Sequence, residues 1–127
     1  MKVELIDLPK ITDPRGNLTF LQNPEHVPFT IERVFWTYDV PGGFVRGGHA
    51  YKTNHELIIA LSGSFDVILL SNDGSTKSIN LKRSYQGLVV PANQWRRLEN
   101  FSTNSVSLHL SSGAYNEQDY IREISEL

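Results

Sequence analysis

The chain has 127 residues, with 12 basic and 14 acidic side chains, a formal net charge of −2 and no cysteine. That length suits one domain with a real core and not two. The near balance of charge removes the electrostatic case for non-specific nucleic-acid or membrane-surface binding, and disulfide scaffolding is excluded.

Val3 and Leu5 alternate with polar neighbours up to Asp7, a period-2 pattern that predicts a first strand ended by Pro9. Glu4 and Asp7 inside this run are wrong for a secretory signal. No later stretch approaches the roughly 18 consecutive apolar residues of a membrane span, so a soluble cytoplasmic protein is expected. Asp13-Pro14-Arg15-Gly16 reads as a turn. A short strand over Leu18 to Gln22 is broken by Asn23-Pro24 and Val27-Pro28. Ile31 to Val40 is rich in β-branched and aromatic residues and predicts a strand closed by Pro41-Gly42-Gly43.

Strands follow over Phe44 to Tyr51, Glu56 to Leu61 and Ser64 to Ser71, the last two joined by a tight turn at Ser62-Gly63. Asn72-Asp73-Gly74 is a hairpin signal, because Asp-Gly adopts the positive φ values of short turns. Thr76 to Leu81 returns across it. Gly87 to Pro91, Trp95 to Glu99 and Ser105 to Ser111 complete some nine strands. The tail, Asn116 to Leu127, predicts the one helix: Asn116 as cap, Glu117 and Asp119 in the first turn, and a stripe of Tyr120, Ile121 and Ile124. Many short strands with regular turn signals mean an all-β sandwich or barrel, read here as a single domain over residues 1–127.

His49, Tyr51, Glu56 and Gly63 fall at the spacing of the first sequence motif of the cupin barrels, in which a His-x-His pair and a Glu bind a divalent metal. Pro91, Asn93, Arg96 and Asn100 follow the frame of the second motif, with Arg96 at the last histidine ligand. The resemblance implies a cupin jelly-roll β-barrel with a short C-terminal helix. A guanidinium has only donors and a permanent charge, so Arg96 cannot ligate a cation. The expectation is a pocket with neither metal nor cofactor.

His49 and Tyr51, two apart on a strand, point to one face about 6.6 Å apart, free for acid–base work. Arg46 and Lys52 fall on the other parity, but a bulge at Gly47-Gly48 would turn Arg46 inward. Arg15, Arg46 and Arg97 are candidates for a diphosphate clamp, since guanidinium forks suit phosphate oxygens; each is otherwise a solvated charge. Parity keeps Arg96 and Arg97 from both facing in. Tyr38 and Trp95 either stack on a planar ring or belong to the core. His26 and His55 read as surface residues, while His109 either lines the pocket or packs.

Over nearly its whole length the chain resembles the nucleotide-sugar 3,4-ketoisomerases that act on dTDP-4-keto-6-deoxy-D-glucose. The resemblance rests on Asp13 to Gly16, Ile31 to Val34, Arg46 to Lys52, Ser62 to Ser64, Trp95, Asn100 to Ser102 and Tyr115 to Arg122. It implies a metal-free cupin homodimer, often with exchanged N-terminal strands, that binds a dTDP-sugar and makes intermediates for 3-amino-3,6-dideoxy sugars of surface polysaccharides. The family carries His-x-His as its catalytic pair; His49 matches the first and Tyr51 departs at the second. Catalysis by His49 and Tyr51 is expected, with Arg15, Tyr38, Arg46, Lys52, Trp95 and Arg97 as substrate-binding candidates. The alternatives are a dTDP-sugar 3,5-epimerase, a metal-dependent cupin and a nucleotide-sugar-binding cupin without catalysis.

Overall fold

The computed structural model describes residues 1–127. It holds twelve strands: β1 (Glu4–Asp7), β2 (Lys10–Asp13), β3 (Gly16–Thr19), β4 (Arg33–Tyr38), β5 (Arg46–Tyr51), β6 (Glu56–Ser62), β7 (Phe65–Leu70), β8 (Thr76–Leu81), β9 (Gln86–Val90), β10 (Trp95–Glu99), β11 (Val106–Ser111) and β12 (Tyr120–Ile121). Two five-stranded sheets, ordered β1-β9-β6-β11-β4 and β12-β5-β10-β7-β8, face each other, and β2 and β3 form a separate hairpin. This is the all-β jelly-roll arrangement expected of the sequence.

Strand parity divides the side chains cleanly. Ile58, Ala60, Leu88 and Val90 from the first sheet meet Phe65, Val67, Leu69, Leu81 and Leu98 from the second region, forming the apolar core between the sheets. Each of these side chains larger than alanine, withdrawn from water, contributes about 1.5–3 kcal/mol. On the back of the first sheet Leu57, Ile59, Val89 and Leu110 are covered by Leu8, Val27 and their neighbours. On the back of the second sheet Ala50, Trp95 and Ile121 pack together.

Several expectations are corrected. The first strand does end before Pro9, at Asp7, but a further strand not foreseen, Lys10–Asp13, pairs with Gly16–Thr19, so the strand expected over Leu18 to Gln22 begins two residues earlier and ends at Thr19. The strand expected over Ile31 to Val40 keeps only Arg33–Tyr38, because Asp39 turns left-handed at φ 56°. The Asp73-Gly74 hairpin forms where predicted, but β7 ends at Leu70 and β8 begins at Thr76, a longer loop than two residues.

The C-terminal helix does not form. Asn116 does cap, accepting from the Gln118 backbone N–H at 3.0 Å, but only a 3₁₀ turn, Glu117–Asp119, follows. Tyr120 and Ile121 then leave the turn to pair with Tyr51 and Ala50 of β5, and a second 3₁₀ turn spans Ile124–Glu126. Sheet pairing and the burial of Ile121 against Trp95 outweigh the helical spacing of three apolar residues.

Candidate active site

One end of the space between the sheets is polar. The parity that points Ile58 and Leu98 into the apolar core also points Glu56, Arg96, His49, Tyr51 and His109 inward a step further along, where they line a cavity of about 800 Å³. That lies within the roughly 300–1,000 Å³ of small-molecule sites. β5 reaches it through a bulge. Arg96 sits opposite His49 but Leu98 opposite Arg46, so three steps on β5 match two on β10. Gly47, at φ 68°, takes the left-handed turn this needs, and Arg46 reaches the cavity wall in consequence.

At the cavity floor lies an ion pair. The Arg96 Nη1 donates to Glu56 Oε1 at 3.2 Å, with the two side chains 1% and 3% exposed. Arg96 also donates from Nε to the Gln94 carbonyl at 3.0 Å and from Nη2 to the Pro91 carbonyl at 3.4 Å. The His109 Nδ1 lies 3.3 Å from Glu56 Oε1, and its Nε2 is 2.9 Å from the Ser107 hydroxyl. The Nδ1 contact with Glu56 is close enough for attraction but lacks the alignment of a hydrogen bond. Burial alone would raise the Glu56 carboxyl; His109, Arg96 and His49 reverse this and hold it down at about 2. Burial lowers Arg96 against the pull of Glu56, yet a guanidinium keeps its proton throughout the accessible range.

The donor set does not fit the divalent metal of the cupin pattern. His49 and Glu56 are present, but Arg96 fills the third ligand's place and aims donors at Glu56. Nowhere do three or more His, Cys, Asp or Glu side chains converge at ligand spacing, as such a site requires.

Above the ion pair stand three rings. His49 meets Tyr51 edge-on at 4.7 Å between centroids and Tyr120 at 4.9 Å. Its Nε2 is buried and has no partner. Burial first, then the Arg96 charge, lower the His49 pKa to about 4, with Glu56 opposing and Arg122 and His109 adding to the fall. The imidazole is therefore neutral at pH 7, with a nitrogen lone pair available. Tyr51 is 1% exposed. Burial, then the Glu56 charge and the bond to Tyr120, push its phenol far above the ordinary value of 10.

The tail closes this side. The buried Asp119 carboxylate accepts from the Thr53 backbone N–H at 2.8 Å, the Thr53 hydroxyl at 2.7 Å and the Asn54 N–H at 3.2 Å. The Lys52 N–H donates to the Asp119 carbonyl at 2.7 Å. These bonds tie the chain just before Tyr120 to the loop just after Tyr51.

Three further arginines line the cavity: Arg33, Arg46 and Arg122. None pairs with a carboxylate. Arg33 lies over the Phe35 ring at 5.0 Å and its Nε is buried without a partner; Arg122 lies over Tyr120 at 4.6 Å. Guanidinium forks held by aromatic faces and unopposed by acid suit a phosphate or diphosphate.

Of the expected site residues, the structure brings His49, Tyr51 and Arg46 to this cavity. Trp95 faces the back of the sheet in the core, and Lys52 points to solvent. Arg97, as parity required, faces away from Arg96 and pairs with Glu99 at 3.2 Å. Arg15 sits 90% exposed at the hairpin tip, bonded to Asp13. Tyr38 is exposed on the outer face of β4. Of the three arginines expected to clamp a diphosphate, only Arg46 lines this cavity, beside Arg33 and Arg122. His109 lines the cavity. His26 and His55 are half-buried rather than surface residues, their Nδ1 atoms accepting from the Gln22 and Ala92 backbone N–H groups at 3.0 Å each. The alternation of Arg33 with Phe35 on one face of β4 was a usable signal for Arg33. Tyr120 and Arg122 were hidden by reading the tail as a helix.

The family model described as "FdtA: WxcM-like, C-terminal" matches residues 1–127. A curated TDP-4-oxo-6-deoxy-alpha-D-glucose-3,4-oxoisomerase from Aneurinibacillus thermoaerophilus is 36% identical over 124 residues, covering 97% of this chain and 88% of that protein. The solved 3,4-ketoisomerase from Helicobacter canadensis superposes with a TM-score of 0.92 at 38% identity, over 99% of this chain and 94% of its own. The 3,4-ketoisomerase QdtA from Thermoanaerobacterium thermosaccharolyticum, solved as a histidine-to-asparagine variant with TDP-4-keto-6-deoxyglucose, gives 0.94 at 34% identity, over 98% and 89%. With a cupin-type barrel, a neutral unpartnered histidine and relatives matched nearly end to end, the chain belongs to the FdtA family, the WxcM-like C-terminal proteins.

Proposed function

We propose that this protein is a sugar-nucleotide 3,4-ketoisomerase that moves the keto group of dTDP-4-keto-6-deoxy-D-glucose from C4 to C3. The observation that carries the reading is His49: a neutral imidazole with a buried, unpartnered Nε2, set in a cavity with three arginines free of carboxylates. The relatives that match nearly the whole chain are named for this reaction.

In this reading Arg33, Arg46 and Arg122 hold the diphosphate and His49 takes the proton from C3. The electron pair of that bond forms the enediolate, a proton passes from O3 to O4, and His49 returns its proton to C4. Tyr51 relays the proton between oxygens, since a phenol both donates and accepts. Binding prepares the base. Burial and the Arg96 charge do most to lower His49, and the Arg122 charge adds to the fall; a diphosphate on Arg122 offsets that smaller part, so the imidazole becomes somewhat more basic when substrate arrives.

A homodimer in the cytoplasm completes the proposal. Val34, Trp36 and Tyr38 on the outer face of β4, and Ile11, Leu18 and Phe20 on the hairpin, are exposed large side chains of the kind a second copy would cover. Arg15 and Tyr38 lie on those elements, so any contact they make with substrate falls at that interface.

The test is proton NMR of the purified protein with dTDP-4-keto-6-deoxyglucose in deuterated buffer, beside His49→Asn. New 3-keto signals with deuterium at C4, absent from the variant, are expected. Exchange at C3 and C5 without keto migration would replace the isomerase with a 3,5-epimerase. Calorimetric binding without any exchange would leave a cupin that only holds the nucleotide sugar.

A further inference from the structure

Tyr51 by itself is poorly suited to relay a proton. It is 1% exposed, and its burial and the Glu56 charge disfavour an ionised phenol there. A single phenol that gives its proton to O4 before receiving one from O3 must pass through that anion. Its hydroxyl, however, is not alone: Tyr51 Oη donates to Tyr120 Oη at 3.5 Å, with the rings 4.9 Å apart at 61°. Tyr120 is half-buried, lines the same cavity and lies 4.9 Å from the His49 ring. Backbone pairing sets Tyr120 opposite Tyr51, and the Asp119 bonds to Thr53 and Asn54 fix the chain one residue before it.

Resting on the isomerase reading above, we propose that Tyr120 is a further catalytic residue, forming with Tyr51 a two-hydroxyl relay that carries the O3 proton of the substrate to O4 in one concerted exchange. The substrate's two oxygens are on adjacent carbons, about one hydrogen-bond length apart, and the two phenol oxygens offer a matching pair. After His49 has taken the C3 proton, O4 bears the negative charge and O3 keeps its hydrogen. The O3–H bond then breaks toward Tyr51, the Tyr51 O–H toward Tyr120, and the Tyr120 O–H toward O4. Each phenol loses one proton and gains one, so both end neutral. The charge now on O3 forms the C3 carbonyl, the double-bond pair takes the proton of His49 at C4, and no outside oxidant or reductant enters. Tyr120, the member with exposed surface, reaches the substrate from the tail side, and the relay uses the phenol that replaces the family's second histidine.

The test compares the unaltered protein with Tyr120→Phe, Tyr51→Phe and the double variant, all of which keep the rings. Three quantities are read: TDP affinity by calorimetry, deuterium wash-in at C3, which needs only His49, and keto migration. Tyr120→Phe should bind TDP within about threefold of the unaltered protein and keep C3 exchange within about tenfold, while migration falls at least about 100-fold. The double variant should be no worse than either single one, because both remove the same relay. Migration by Tyr120→Phe within about threefold of normal would overturn the proposal. So would exchange and migration falling in parallel, which marks a structural loss, or losses that multiply in the double variant. If the unaltered protein itself moves no keto group, the isomerase reading fails and takes the relay with it; normal migration with an indifferent Tyr120 sinks the relay alone.

Discussion

Replacing Arg96 by Met tests the ion pair beneath the site. The substitution keeps much of the apolar stem and removes the only guanidinium bonded to Glu56. The carboxylate is 3% exposed and its Oε2 already lacks a partner, so it is left with His109 alone. Breaking one side of a buried pair costs about 3–5 kcal/mol, mostly for the stranded charge. At about 4 °C per kcal/mol for a chain of this size, melting should fall by about 12–20 °C. Adding Glu56→Gln removes the stranded charge, and the double variant should recover to within about 2 kcal/mol of the parent. The sign with pH is also fixed. In the parent, Glu56 lies near 2 in the fold against an ordinary 4.5, so its contribution is present above 4.5 and lost as pH falls toward 2. In Arg96→Met burial raises the carboxyl above 4.5, so the variant's deficit is greatest at neutral pH, shrinks as pH falls through that raised value toward 4.5, and shrinks further below 4.5 as the parent loses its own contribution. Urea unfolding at fixed protein concentration, from pH 3 to 8, measures all of this. A loss under about 1 kcal/mol in the single variant, or a double variant less stable than the single, would refute the reasoning.

The folded His49 refuses a proton down to about 4 while the unfolded chain takes one near 6.5, so stability should drain by about 3 kcal/mol as pH falls through that window. His49→Asn should flatten that slope in acid unfolding curves while leaving the steeper loss below 4.5. Arg46→Ala and Arg122→Ala should each weaken TDP binding about tenfold by calorimetry, with a smaller salt dependence than the parent; unchanged affinity would remove that arginine from the clamp. Asp119→Ala strips partners from the Thr53 and Asn54 N–H groups. It should cost about 1–3 kcal/mol in thermal unfolding and raise proteolytic cleavage after Tyr115, because the tail is held by those bonds.

The barrel was legible because short β-branched and apolar runs are punctuated by turn signals; Leu57 to Ala60 and Leu88 to Val90 are continuous apolar stretches, as befits strands buried on both faces. His49, Tyr51 and the bulge that turns Arg46 inward were legible as well, since a two-residue period and a glycine pair are local signals. What stayed hidden depends on distant pairing. Tyr120, Ile121 and Ile124 have helical spacing, and nothing near them in sequence says that Ala50 and Trp95 wait 26 to 71 residues earlier to receive Ile121. Helical spacing in that tail hid Tyr120 and Arg122, both of which line the cavity. Trp95 takes the core alternative: next to Arg96 in sequence, it faces the opposite side of the sheet.

The substitution at Arg96 explains how a barrel of this shape runs proton chemistry. In the metal-binding pattern, Glu56 and His49 would spend their lone pairs on a cation, and a ligating imidazole has no free nitrogen on that side to serve as a base. Arg96 supplies the positive charge that keeps Glu56 ionised, but does so through N–H groups aimed at the carboxylate, not through a vacant coordination sphere. Burial first, and then the field of that cation, lower His49, while the guanidinium, 5.1 Å from the Tyr51 ring, packs against the phenol without bonding its oxygen. Two replacements, Arg96 and Tyr51, thus preserve the electrostatic frame of the site while leaving Nε2 of His49 without a partner and a phenol at the second ligand position.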